Sequence, residues 1–322
     1  MKLWFVVSVA GLVFVLLASG QGYAQEDIAK FPNRPITFIM PVPPGGPTEL
    51  ACRLISKEAE KYLQQPVVVV NKPGAALTIG TALVAKSKPD GYTIGFSGGP
   101  PLFLTPLLEK VPYDPIKDIR TILKIGEPSF GVYVRADSQF KTFKDLMTFA
   151  KQNPKKLTYG TTGTNSMGHL MMEQVAKREG VQITHIPHKG TPEVQTALLG
   201  GHVLFGSGDF NPALVEAKEI RLVMMLKEGP SSEYPGIPTL KEMYNLPYPM
   251  YISVITQKAV PDSIVKKLED AFVKAMKEPG YVNGMKELRL SVAYRTGTDI
   301  DASVAQNHAY FFNLLKEMGA LK

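Results

Sequence analysis

The feature that most constrains this chain is a recurring order of short β-rich run, loop and amphipathic helix. Residues 35–40 (Pro-Ile-Thr-Phe-Ile-Met) read as a buried strand. A loop over 41–46 follows, then a helix over 47–63 with Leu50, Ala51, Leu54, Ile55, Ala59 and Tyr62 on one face. A strand at 67–70, a helix at 77–85, a Pro89-Asp90-Gly91 turn and a strand at 92–96 complete a first block. The alternation resumes after about residue 125. Strands at 130–134, 157–160, 183–186, 220–225 and 251–256 interleave with helices at 143–152, 167–177, 192–199, 262–277 and 300–318. Such repetition predicts an α/β fold with mostly parallel sheets flanked by helices. Two blocks of this size predict two lobes.

The first residues read as a targeting segment. Met1-Lys2 precedes an apolar run from Leu3 to Leu17, and small residues end in Gly22-Tyr23-Ala24. A basic start, an apolar stretch and a small-x-small end form a secretory signal cleaved after about Ala24. The rival, a membrane anchor, wants about 20 apolar residues and a basic cluster after them. Without the signal about 298 residues remain, enough for two domains with their own cores. With 44% apolar and 20% charged residues, the chain is globular rather than disordered.

Charge and cysteine use exclude several classes. The net charge of +7 is spread along the chain with acids interleaved, and no basic stripe carries aromatic residues between its charges. Nucleic-acid binding is therefore a poor reading. The single Cys52 lies in an apolar-periodic helix and reads as a core thiol; alone it makes neither a disulfide nor a zinc site. No metal site and no cofactor is expected.

Ligands of α/β sheets sit beyond the carboxyl ends of the strands, and two loops there stand out. The first runs through Val42, Pro43, Pro44, Gly45, Gly46, Pro47, Thr48 and Glu49. Its glycines permit close backbone approach. The helix opening at Pro47 aims free N–H groups at the same spot, which suits a carboxylate or phosphate without any Lys or Arg. The second holds Thr161, Thr162, Gly163, Thr164, Asn165 and Ser166 just before a helix containing His169. It is the same kind of seat, richer in hydroxyls. Each loop alone also reads as an ordinary capped helix start.

Other motifs are weaker. Gly163 and Gly168 have P-loop spacing, but His169 stands where Lys is required. His185 and His188 lack a third ligand. Gly95-Phe96-Ser97-Gly98-Gly99 fits a nucleophile elbow, and Asp209 and His308 follow in hydrolase order. Against that, Pro100-Pro101 removes backbone donors needed beside an oxyanion. A secreted serine hydrolase centred on Ser97 stays as an alternative.

The segment from Phe31 to Glu49 resembles the opening of the Bug proteins, the solute-binding components of tripartite tricarboxylate transporters. Further segments agree in order: Gln65-Pro66-Val67, Asn71-Lys72-Pro73-Gly74-Ala75, Lys88-Pro89-Asp90-Gly91-Tyr92-Thr93, Val111-Pro112-Tyr113-Asp114-Pro115, Tyr159 to His169, His185-Ile186-Pro187-His188-Lys189-Gly190, Leu198-Leu199-Gly200-Gly201 and Gly236-Ile237-Pro238-Thr239. The resemblance covers essentially the whole chain after the signal. It implies a two-lobed type II periplasmic binding protein that is not an enzyme. It captures a small organic acid, a di- or tricarboxylate or an aromatic acid, for a membrane permease. It implies crossings near residues 125 and 250, with residues 25–125 plus 250–322 as lobe 1 and 126–249 as lobe 2. The chain is expected to act as a monomer. Ser97, Gly98, Gly99, Pro100, His188, Lys189, Gly190, Asp209 and Phe210 are expected as pocket walls. Glu49 replaces the family's usual Asp, Val42 a common Phe, and His188 a common Tyr. Ser97-Gly98-Gly99-Pro100-Pro101 replaces Ser-Ser-Gly-Thr-His, and Gly208-Asp209 stands where Asp-Asn is usual. These changes leave the acid open. A sensor that docks a signalling kinase is a further alternative.

Overall fold

The computed structural model describes residues 30–231 and 233–321. The expected signal segment, residues 1–24, lies outside them. No helix among the described residues is long and apolar enough to cross a membrane.

Two sheets carry the architecture. The first has six strands, starting with β1 (Ile36–Met40), β2 (Val67–Asn71) and β3 (Thr93–Ser97). β1 pairs in parallel with both neighbours, Phe38 facing Val69 on one side and Ile94 on the other. The remaining strands are β4 (Ile119–Glu127), β10 (Ile252–Gln257) and β11 (Ser291–Thr296), and the order is β11-β4-β10-β3-β1-β2. β10 runs antiparallel to β3 and β4, as does β11 to β4. Helix α1 (Pro47–Leu63) follows β1 and buries Ala51, Cys52, Ile55 and Ala59. Behind it pack α10 (Asp262–Ala275) and α11 (Pro279–Glu287). Phe38, Met40 and Phe272 complete this core. Burial pushes the Cys52 thiol up, as befits an inert core residue.

The second sheet has the order β7-β6-β8-β5-β9. It comprises β5 (Phe130–Arg135), β6 (Thr158–Thr161), β7 (Thr184–Pro187), β8 (Phe205–Asp209) and β9 (Ile220–Met225). β6 is parallel to β7 and β8, whereas β5 is antiparallel to β8 and β9. Helix α5 (Phe143–Gln152) opens with a Thr142/Asp145 capping box. Helix α6 (Met167–Glu179) is capped by Ser166 and ended by a left-handed Gly180.

The fold class holds, with one correction. Both sheets are mixed rather than mostly parallel, because β10 and β11 run against the other strands of the first sheet and β5 runs against those of the second. Three strands escape the sequence pattern. β4 carries Arg120, Lys124 and Glu127, which mask its apolar character. β11 is an edge with alternating exposure. β8 reads Phe-Gly-Ser-Gly-Asp, a poor strand by composition. Its Gly206 is required: a Cβ there would collide with the Tyr133 ring.

Candidate functional site

The chain passes from the first sheet to the second between β4 and β5, and returns between β9 and β10. A cleft of about 370 Å³ opens between the two sheets' lobes beside the return segment. From one side it is walled by Leu77, Pro100, Pro101, Leu104 and Leu108. From the other come Thr162, Thr164, Asn165 and Ser166, at the start of α6. Phe130, Tyr248 and Met250 close its back. Its charged lining side chains are both acidic, Asp209 and Glu109.

The hydroxyl-rich loop is held by hydrogen bonds that leave its rim open. Thr161 is fully buried, and its hydroxyl donates to the Gly163 carbonyl at 3.0 Å. The same oxygen meets His185 Nε2 at 2.7 Å. Because the hydroxyl proton is committed, the network assigns Nε2–H of His185 as donor. His169 Nδ1 accepts the Asn165 N–H at 3.1 Å, and Ser166 Oγ accepts the His169 N–H at 3.4 Å. Asn165 takes a left-handed φ of 62°, which Asn tolerates. Thr162 and Thr164 remain exposed beside the free end of α6. A helix start supplies unpaired N–H groups and a positive dipole end, so a carboxylate is accommodated without a cation.

The two histidines behind this loop, His169 buried and His185 half-buried, stay neutral. Burial holds His169 below its usual range. Burial and then the neighbouring His169 push His185 down to about 4. His169 braces the loop through the Asn165 amide and is not among the residues lining the cleft. His188 sits against Gly160 with its Nε2 buried and without a hydrogen-bond partner. Lys189 N–H donates to Glu193 at 3.0 Å, and Gly190 caps helix α7 (Thr191–Leu199). No group of three His, Cys, Asp or Glu residues among the described ones could hold a metal ion.

Asp209 ends β8 at the cleft. Its carboxylate accepts from the Thr191 hydroxyl at 3.3 Å. Its surface faces the cleft, yet the surrounding walls exclude enough water to push its carboxyl up to about 6. Phe210 turns away and packs on Tyr133 and Tyr234 in the core.

The glycine loop of the first lobe is not in this cleft. None of residues 42–49 lines it. Glu49 is 1% exposed and points into its own loop. Its Oε2 accepts the Gly45 N–H at 3.1 Å, while Oε1 lies 2.5 Å from Arg53 Nε and 3.3 Å from Asn71 Nδ2. Asn71 also donates to the Val42 carbonyl at 2.9 Å. Pro43, Pro44, Gly45 and Pro47 are exposed, and Gly46 and Thr48 are half-buried.

Ser97 is fully buried, and its hydroxyl accepts the Gly99 N–H at 3.4 Å. A nucleophile must be reachable from a cleft, so the elbow reading fails here. Gly98 is buried, and Gly99 is fixed by its φ of 103° and by the Pro249 carbonyl, which a Cβ would strike. Pro100 then begins helix α3 (Pro100–Phe103) at the cleft wall. A second cavity of about 230 Å³ lies at the crossings, lined in part by Lys124, Glu127 and Lys227. Its lysines are matched internally to Glu127, Lys227 Nζ at 3.1 Å.

Sequence reasoning missed Leu77, Leu104, Leu108, Phe130, Tyr248 and Met250 as cleft walls. The implied crossing near residue 250 was the available signal for the last two.

The profile of the family described as "Tripartite tricarboxylate transporter family receptor" matches residues 51–319. The chain belongs to this family. A Cupriavidus necator relative, described as a UPF0065 protein in the gbd 5′ region, is 36% identical over 310 residues, 95% of this chain and 93% of the relative. A TctC solute-binding protein from Polaromonas superposes with a TM-score of 0.78 at 28% identity, covering 89% of this chain and 99% of that one. An R. palustris protein solved with adipate gives 0.74 at 26% identity, covering 90% and 98%. Family and fold are those of periplasmic solute-binding receptors, not enzymes. That also disfavours the hydrolase alternative.

Proposed function

We propose that this receptor captures a small organic acid in the inter-lobe cleft and hands it to the membrane permease of a tripartite transporter. The observation that carries this is the open start of α6, where Thr162, Thr164, Asn165 and Ser166 edge a cleft with no cationic side chain in its lining. That arrangement favours one carboxylate through N–H and hydroxyl donors. Pro100 and Asp209 serve as walls. Thr161, Gly163 and His169 hold the loop, and His188 supports it through its N–H to the Thr161 carbonyl, while Lys189, Gly190 and Phe210 flank the cleft only as the starts and packing of neighbouring elements. Residues 42–49 become a second contact only on lobe closure. Closure turns on the crossings near residues 125 and 250, so that 25–125 plus 250–322 move against 126–249. The receptor works in the periplasm as a monomer after cleavage near Ala24. The acid bound by the R. palustris neighbour is consistent with this reading.

The test is calorimetry of the mature protein with aliphatic and aromatic acids and with their neutral amides. Acids bind and amides do not, because the α6 seat recognises charge. Equal binding of amides, or no binding of any acid, would sink the proposal.

A further inference from the structure

Among the described residues eight non-glycine residues have a left-handed φ, and two of them line the cleft, one on each lobe: Asn165 at 62° and Leu77 at 75°. Asn tolerates that conformation. For a leucine it is costly, and it persists only where the surroundings impose it. Leu77 ends the short turn Ala75–Leu77 just before helix α2 (Thr78–Ala85). Its N–H donates to the Gly74 carbonyl at 3.1 Å, and its carbonyl accepts the Thr81 hydroxyl at 2.9 Å. These bonds are made by the backbone of Leu77, and glycine would make them without strain. The side chain is half-buried: it packs on the first lobe's core beside Gly98 and also forms part of the cleft wall. Pro100, Leu104 and Leu108 continue the same apolar surface. Of the polar side chains that this lobe adds to the lining, Thr105 is buried and Glu109 is exposed.

Resting on the carboxylate reading above, we infer that Leu77 is a specificity-determining residue, and that the receptor takes acids whose body carries no hydroxyls over polyhydroxylated acids of the same length. The strained backbone is explained by what the side chain does: it presents a branched apolar group to the body of an acid seated at the start of α6. Methylene groups buried against it favour binding. A hydroxyl pressed on the same surface loses its water and gains no partner. The preference concerns the body alone, whatever the number of carboxylates.

Matched six-carbon acids test this by calorimetry on the mature protein: hexanoate against gluconate, and adipate against galactarate. In each pair the unhydroxylated acid binds roughly tenfold or more tightly, the effect of burying about two methylene groups. Leu77→Gly removes roughly that tenfold from hexanoate and adipate and leaves gluconate and galactarate little changed, so the gap closes. Thermal melts separate this role from packing alone. Leu77→Ala loses the side chain but keeps the strain, so Leu77→Gly melts above Leu77→Ala, the reverse of the usual order for these two residues. Leu77→Asn, which also suits a left-handed φ, serves if Leu77→Gly does not melt cooperatively. A polyhydroxylated acid that equals or beats its partner overturns the inference while leaving the carboxylate reading intact. So does an unchanged gap in a folded Leu77 variant, or Leu77→Ala melting above Leu77→Gly. Failure of all four acids removes both.

Discussion

His169 and His185 stack face to face behind the α6 loop, ring centroids 4.0 Å apart and planes at 27°. His185 holds Thr161 and His169 holds the Asn165 amide, so the pair fixes the loop that borders the cleft. Two cations at that distance would repel, and the stack is built for neutral rings.

That pair predicts acid sensitivity. In the unfolded chain His185 takes a proton near 6.5, whereas in the fold it does so only near 4. The unfolded state therefore holds more protons between those values, and stability falls as pH drops from about 6.5 to about 4. His169 acts in the same direction. Asp209 opposes them: its folded value of about 6 lies above the ordinary 3.8, so it favours the fold as pH falls through that window. Thermal melts from pH 7.5 to 4.5 should show a lower melting point on acidification. His185→Phe, which keeps a ring in the stack, should flatten the slope. An unchanged slope in that variant removes the histidine explanation.

Ser166 and Thr164 separate binding from folding. Ser166 caps α6 through the His169 N–H, so Ser166→Ala should cost about 1 kcal/mol of stability and also weaken acid binding. Thr164 is exposed and lines the cleft. Thr164→Val should weaken binding with a stability change under about 0.5 kcal/mol. Urea denaturation beside calorimetry checks both, and equal stability losses would argue against this division.

Much of the architecture is legible because burial leaves a period in the sequence. The run from Ile36 to Met40 and the face of α1 are readable for that reason. β8 is not, since Gly206 makes room for the Tyr133 ring and Gly208 takes a φ of 131°, neither of which serves strand propensity. Nor is β4, whose Lys124 and Glu127 form a pair at the crossing that no local pattern reveals. The hydroxyl loop at 161–166 is legible as a helix start. The inward turn of Glu49 depends on Asn71, 22 residues away, and on the side chain of Arg53. The apolar wall is likewise assembled from segments far apart in the chain.

Glu49 should behave as an internal brace. Glu49→Ala removes the acceptor of the exposed Gly45 amide and the longer of the two Asn71 bonds, leaving Asn71 its Val42 carbonyl, at a cost of about 1 kcal/mol. Arg53 is partly exposed and rehydrates, which limits the loss. Glu49→Gln retains an acceptor and should cost less. Denaturant titration of both variants checks the order, and an Ala variant as stable as the parent would show that the loop needs no brace.

Glu127 joins the two crossings. It pairs with Lys124 on its own strand and with Lys227, 3.1 Å away just after β9. Burial works to raise its carboxyl, but the two lysines outweigh that and hold it below its usual range. Glu127→Ala leaves Lys124, only 7% exposed, without its counter-charge. Removing one partner of a buried pair costs about 3 kcal/mol or more. It also frees the β9 end from β4, so the angle between lobes should widen or vary. The expected result is a lower denaturation midpoint together with a larger radius of gyration in small-angle scattering without ligand. A midpoint drop with unchanged dimensions would confine Glu127 to stability and leave the lobe angle to other contacts, such as Gly99 against Pro249.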